Sequence, residues 1–250
     1  NVVKRIFTVR SCNYDMPSQM PERACLDHHI GRCKAPCILA QTREEYRAMI
    51  DEVVEGFADA AARAERAGLD GVEVHGAHSY LVHSFLSPLT NRRDDAYGED
   101  RLRFAREVLG AIRSATRSGF AVGIRIVGSE GVEGGIEPPD AIRIREALED
   151  EGLVDFVDVS MGGYHALGKL VGAMHEPLGY ELATSEPVTR GARVPTIVTG
   201  RVTTLAQAEA ILAARTADLV SMVRATLADP ELVAKTLAGR AEEVRPCIAC

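Results

Sequence analysis

The sequence predicts an α/β chain assembled from parallel β/α units of the barrel kind. From residue 52 onward, short apolar runs alternate with amphipathic helical stretches, the signature of parallel strands covered by helices. Each apolar run ends on a polar residue or glycine: His75, Gly128, Ser160, Gly200 and Arg224. In barrels of β/α units that C-terminal rim carries the chemistry. Before residue 52 the texture changes to a small cysteine-rich stretch with little periodicity.

The elements follow in order. Residues 4–9 can form a strand. Thr42 as N-cap and Glu45 three residues later form a capping box that opens a helix. That helix runs on without a linker into 51–68, where Val53, Val54, Phe57, Ala58 and Ala61 keep helical spacing and Gly68 supplies the C-cap. Residues 71–75 read as a strand, 76–98 as a long loop and 101–114 as a helix. A strand over 121–127 precedes a helix over 140–152 with Pro138 and Pro139 near its start. Strands over 156–160, 194–199 and 217–222 follow, with helices over 205–214 and 230–238. The connection over 161–193 is long enough to suggest function. The expected boundary falls between a segment 1–51 and a barrel unit 52–250.

Composition narrows the class. With 46% hydrophobic and 26% charged residues in 250, the chain reads as an ordinary globular protein. Its apolar runs are broken by charges within about ten residues, too soon for a membrane span. Residues 1–10 carry charges through their apolar stretch and lack a cleavage site, unlike a signal peptide. A cytoplasmic protein with no membrane association is expected. The net charge of −7 gives no reason to expect nucleic-acid binding. The charge is nevertheless uneven. Residues 1–50 hold eight Lys/Arg against five Asp/Glu, leaving −10 for the remainder.

The six cysteines are uneven too: Cys12, Cys25, Cys33 and Cys37 crowd the start, while Cys247 and Cys250 end the chain. In a reducing compartment such clusters read as zinc or iron–sulfur ligands rather than disulfides.

The most specific signal is His75-Gly-Ala-His-Ser-Tyr80-Leu, followed by Phe85-Leu-Ser-Pro and Asn91-Arg-Arg-Asp. Imidazoles leaving a strand at the rim can hydrogen-bond a substrate carbonyl, and a phenol can deliver a proton. The stretch from 52 to 250 resembles the Old Yellow Enzyme family of NADH:flavin oxidoreductases. Arg224-Ala-Thr-Leu-Ala-Asp-Pro and Arg245-Pro-Cys-Ile-Ala-Cys are similar to its dienoyl-CoA reductase branch.

The resemblance implies FMN on the rim of a TIM barrel, reduction by NAD(P)H, and hydride transfer to an activated alkene such as an enone or dienoyl thioester. It implies that His75 and His78 meet substrate or flavin, and that Tyr80 and His165 form a proton-donating pair. It puts Arg125 beside the flavin ring, where a cation stabilises the reduced anion. Gly200, Arg201, Val223 and Arg224 match the phosphate site. Val223 stands where the family often has a small residue, and Ser79 where it often has glycine. Cys247 and Cys250 match the first two ligands of a four-iron four-sulfur cluster, whose other two ligands this chain lacks.

The resemblance also makes the five strands the fourth to eighth of the barrel. A (β/α)8 TIM barrel missing three strands would expose two sheet edges. Weak FMN binding, impaired turnover and a need for an oligomer or partner chain to complete the barrel are therefore expected.

Residues 1–51 resemble the cysteine-rich segment of UvrC, the nuclease subunit of bacterial nucleotide excision repair. No nuclease domain accompanies it. The alternative reading is therefore a non-enzymatic chain, in which a UvrC-like metal-binding segment is joined to a barrel remnant.

Overall fold

The computed structural model describes residues 6–9 and 43–249. Six strands form one sheet, all parallel and in sequential order. They are β1 (Ile6–Val9), β2 (Gly71–His75), β3 (Ala121–Ser129), β4 (Phe156–Met161), β5 (Thr196–Val198) and β6 (Leu219–Val220). The strand beyond the five expected is β1, for which residues 4–9 showed only a capacity. It pairs with β2 from Ile6 opposite Gly71 to Val9 opposite Val74. Every crossover steps the same way across the sheet. Right-handed connections then place the helices on one face and leave the other concave.

Alternation along the strands assigns the two faces. Val72, Val74, Val122, Ile124, Ile126, Val157 and Val159 are buried in one core with Phe57, Ala61, Val108, Ile112 and Leu148 from the helices. Glu73, His75, Gly123, Arg125, Asp158 and Ser160 occupy the alternate positions and face the concave side. Gly123 is needed there, because a Cβ would sit 2.2 Å from the Phe156 ring.

Helix α1 (Arg43–Arg66) is continuous and crosses the expected boundary at 51/52 without a break. Its buried positions Ile50, Phe57, Ala61 and Ala64 keep helical spacing. Gly68, at φ 83°, ends it as expected. Arg47 bonds the Tyr97 hydroxyl and, at 3.1 Å, Glu107, tying the helix to the following units. Thr42, the expected cap, lies outside the described residues.

The expected loop over 76–98 is not a plain loop. It contains α2 (Leu81–Leu86) and α3 (Ala96–Glu99), the latter capped by Asp95, which accepts from the Tyr97 amide at 3.1 Å. Helix α4 (Arg103–Ala115) buries Phe104, Ala105, Val108, Leu109 and Ile112. Helix α5 (Pro138–Asp150) starts on the expected proline, and the Asp140 carboxylate accepts from the Glu137 amide at 3.2 Å.

The connection over 161–193 likewise folds, into a 3-10 turn (Tyr164–Ala166), α6 (Leu167–Leu170) and α7 (Leu182–Thr189). After β5 comes α8 (Leu205–Ala213), with Thr204 accepting from the Gln207 amide at 3.1 Å. The strand expected over 217–222 is shorter, and Val223 and Arg224 open α9 (Val223–Ala228) instead of ending a strand. Helix α10 (Leu232–Leu237) follows.

Candidate functional site

The parallel register assembles a polar row at the C-terminal ends of the strands. His75 lies opposite Arg125, and Arg125 opposite Asp158. The Arg125 Nε is 3.5 Å from Asp158 Oδ2, and Asp158 also hydrogen-bonds Glu73. Burial pushes the Asp158 carboxyl above the usual carboxylate range, against the pull of Arg125 and Glu73. The Arg125 Nε is itself buried with no hydrogen-bond partner.

The loop after β2 turns sharply over this row. His78 and Ser79 both take φ of 63°, the left-handed region that non-glycine residues rarely occupy. The turn brings the His78 ring 5.0 Å and the Tyr80 ring 4.9 Å from the His75 ring. His78 Nε2 lies 2.9 Å from Ser160 Oγ, which donates to Glu181 Oε2 at 3.0 Å. Burial pushes the Glu181 carboxyl up to about 7, with the Asp158 charge adding to it and Ser160, Tyr180 and Arg125 pulling the other way.

Tyr80 has a partner, but not the expected one. The Tyr164 hydroxyl donates to the Tyr80 hydroxyl at 3.2 Å, and their rings meet edge to face at 5.7 Å. The Ser79 hydroxyl accepts from the Tyr164 amide at 3.1 Å, which holds the two loops together. His165 is exposed on the same 3-10 turn. The short helical turn aims successive side chains apart, so one of the two neighbours meets Tyr80 and the other does not.

Farther along the rim, Arg201, Val223 and Arg224 line one cleft with Thr199, Ser221 and Cys247. Gly200 precedes it at φ 125°, and a Cβ there would sit 2.6 Å from the Glu181 Cβ, so only glycine fits. Arg201 reaches the carbonyls of Met174 (3.2 Å) and Glu176, and its Nε is buried without a hydrogen-bond partner. Arg224 donates to the Gly172 carbonyl at 2.7 Å. Val223 is 62% exposed, so its side chain leaves the backbone beside the cleft uncovered.

The tail that carries Cys247 is held by Asp229, which accepts from the Arg245 amide at 2.9 Å and from Lys235 at 2.7 Å. Cys247 is a free thiol. Cys12, Cys25, Cys33, Cys37 and Cys250 lie outside the described residues, and among the described residues no cluster has a metal-ligand arrangement.

Sequence reasoning thus named His75, His78, Tyr80, Arg125, Gly200, Arg201, Val223 and Arg224, and the fold gathers them along one rim. It missed Glu73, Asp158, Tyr164 and Glu181. An acidic residue inside an apolar strand is a usable signal for the first two. No motif marks the others.

A family model described as "NADH:flavin oxidoreductase / NADH oxidase family" matches residues 9–243. An NADH oxidase from Thermoanaerobacter brockii is 37% identical over 243 residues, covering 89% of this chain and 37% of that protein. An NADPH dehydrogenase from Clostridium acetobutylicum is 41% identical over 191 residues, covering 74% of this chain and 53% of that protein. Among solved structures, a 2-naphthoyl-CoA reductase in complex with 2-naphthoyl-CoA superposes with a TM-score of 0.77 at 28% identity, over 84% of this chain and 32% of the other. Morphinone reductase in complex with tetrahydroNAD gives a TM-score of 0.62 at 30% identity, over 81% of this chain and 51% of the other. The chain spans roughly a third to a half of the length of these relatives. By the extent of these matches, the chain belongs to the NADH:flavin oxidoreductase / NADH oxidase family.

Proposed function

We propose that this chain carries the rim of an ene-reductase-type oxidoreductase that binds FMN, takes hydride from NAD(P)H and delivers it to an activated alkene. The observation that carries this reading is the cluster of His75, His78 and Tyr80 over the Arg125–Asp158 row, at the strand ends where barrel enzymes place their chemistry.

The residues suit FMN. The cleft beside Gly200 offers two guanidinium groups and a backbone that no Cβ obstructs, as a phosphate requires. The buried, unbonded Nε of Arg125 leaves a cationic donor for an electron-rich ring. When bound, the flavin supplies the hydride relay. This chain's own side chains do the rest. His75 and His78 orient a substrate carbonyl. Tyr80 accepts from Tyr164, which leaves its own hydrogen to donate to the alkene carbon. Tyr164 thereby takes the partner role that the family resemblance gives to His165.

An enone or dienoyl thioester is the proposed substrate class, supported by the thioester bound in the 2-naphthoyl-CoA reductase structure. Titration of the apo-chain with FMN is the test. Replacing Arg224 by Ala removes a charge-assisted contact worth roughly 1.5–3 kcal/mol, a loss of about 10- to 150-fold in affinity. Equal affinity of variant and parent refutes the phosphate assignment, and a parent that takes up no FMN refutes the reading itself.

A second role belongs to residues 1–51. The spacing of Cys12, Cys25, Cys33 and Cys37, with the UvrC resemblance, supports one zinc or iron–sulfur centre separate from the rim.

A further inference from the structure

We propose that Glu181 and Ser160 are positioning residues, a hydrogen-bonded chain that fixes which ring nitrogen of His78 carries hydrogen and how that ring faces the rim. A serine hydroxyl has one hydrogen to give. Ser160 Oγ gives it to Glu181 Oε2 at 3.0 Å, so toward His78 Nε2, 2.9 Å away, it can act only as an acceptor. Nε2 must therefore be the protonated nitrogen whenever Glu181 is ionised. A free imidazole exchanges between tautomers, whereas this one is committed by a carboxylate two hydrogen bonds away.

Three further observations give the chain its purpose. Glu181 and Ser160 are almost fully buried, at 4% and 3% exposure. The groups facing Glu181 are the hydroxyls of Ser160 and Tyr180, the cation of Arg125 and the repelling Asp158, and no salt bridge to Glu181 is found among the described residues. A buried carboxylate kept without a direct ion pair costs stability, which points to a functional reason for it. Lastly, Glu181 is wedged against Gly200, where a Cβ would sit 2.6 Å from the Glu181 Cβ, so its position is set by the segment that also carries Arg201. The chain thus spans from the phosphate side of the rim to the histidine side, and it steadies a residue held at φ 63°.

The importance of His78 rests on the function proposed above, but the location of its hydrogen does not. The test is nitrogen NMR of the labelled full chain at a pH well above that at which Glu181 titrates, with His78→Gln identifying the signal. The parent should show hydrogen on Nε2 in slow exchange with solvent. Ser160→Thr, which keeps a hydroxyl, should retain it. Ser160→Ala should speed its exchange by about tenfold or more, as expected for loss of one buried hydrogen bond. Glu181→Gln, which keeps the shape, should retain the hydrogen with intermediate protection. Hydrogen on Nδ1 in the parent, or equal protection in Ser160→Ala, overturns the proposal. An FMN titration of the same samples keeps the two ideas apart, because failure to bind flavin refutes the proposed function and leaves the NMR result standing.

Discussion

Replacing Glu181 by Gln should reshape the pH dependence of stability. Glu181 is 4% exposed, and burial raises its carboxyl from an ordinary 4.5 to about 7. A shift of that size corresponds to about 3 kcal/mol, and the burial leaves little solvent screening to discount it. The sign follows from linkage. A raised folded value means that this group's contribution is fully present below pH 4.5 and is lost as pH rises through about 7. Glutamine has the same shape and no charge, so the variant escapes that loss. In urea unfolding, parent and variant should have similar stability near the acid end of the window. The variant should then gain by about 3 kcal/mol by roughly pH 8. Parallel stability curves across the window, or a variant less stable at the alkaline end, would refute the claim that the carboxylate is buried at a cost.

Other outcomes follow from named contacts. Glu130 accepts from Ser87 at 2.6 Å and from the Ile136 amide at 2.5 Å, and meets His83 Nε2 at 2.9 Å, all buried. Burial alone would raise its carboxyl, but these partners outweigh it and hold it below its ordinary value, so the stabilisation is present above pH 4.5 and lost as pH falls. Glu130→Ala strands three polar groups and should cost about 3 kcal/mol or more in chemical denaturation, while a loss under about 1 kcal/mol would mean that the loop re-pairs with water. For residues 1–51, the double substitution Cys33→Ser/Cys37→Ser should abolish zinc or iron uptake in anaerobic reconstitution, and unchanged metal content would remove the quartet as a ligand set. The Arg224→Ala titration completes the set.

The units that long periodic stretches specify are legible in the sequence. Helix α1 is one case: Val53, Val54, Phe57 and Ala61 repeat at helical spacing up to Gly68, and the helix ends there. Strands β2, β3 and β4 are another, because short apolar runs bounded by polar residues have few other uses. Short elements are not legible. Helix α2 has six residues inside a Ser- and Pro-rich stretch, and it is held by burial of Val82 and Leu86 rather than by its own propensity. Val223 and Arg224 look like a strand end but open a helix, because β6 has only two residues of pairing to β5.

By itself, the sequence determined the β/α alternation, the family motif from His75 to Tyr80, and the rim cations Arg125, Arg201 and Arg224, because periodicity and motif are local properties of the chain. Tertiary structure decided which side chains meet. Register put Asp158 beside Arg125, a 3-10 turn gave Tyr80 the hydroxyl of Tyr164 in place of His165, and the close approach of Gly200 set Glu181 behind Ser160 and His78. Those pairings join residues from 21 to 84 positions apart. At such separations a partner is chosen by strand order and packing, which no local pattern of residues encodes.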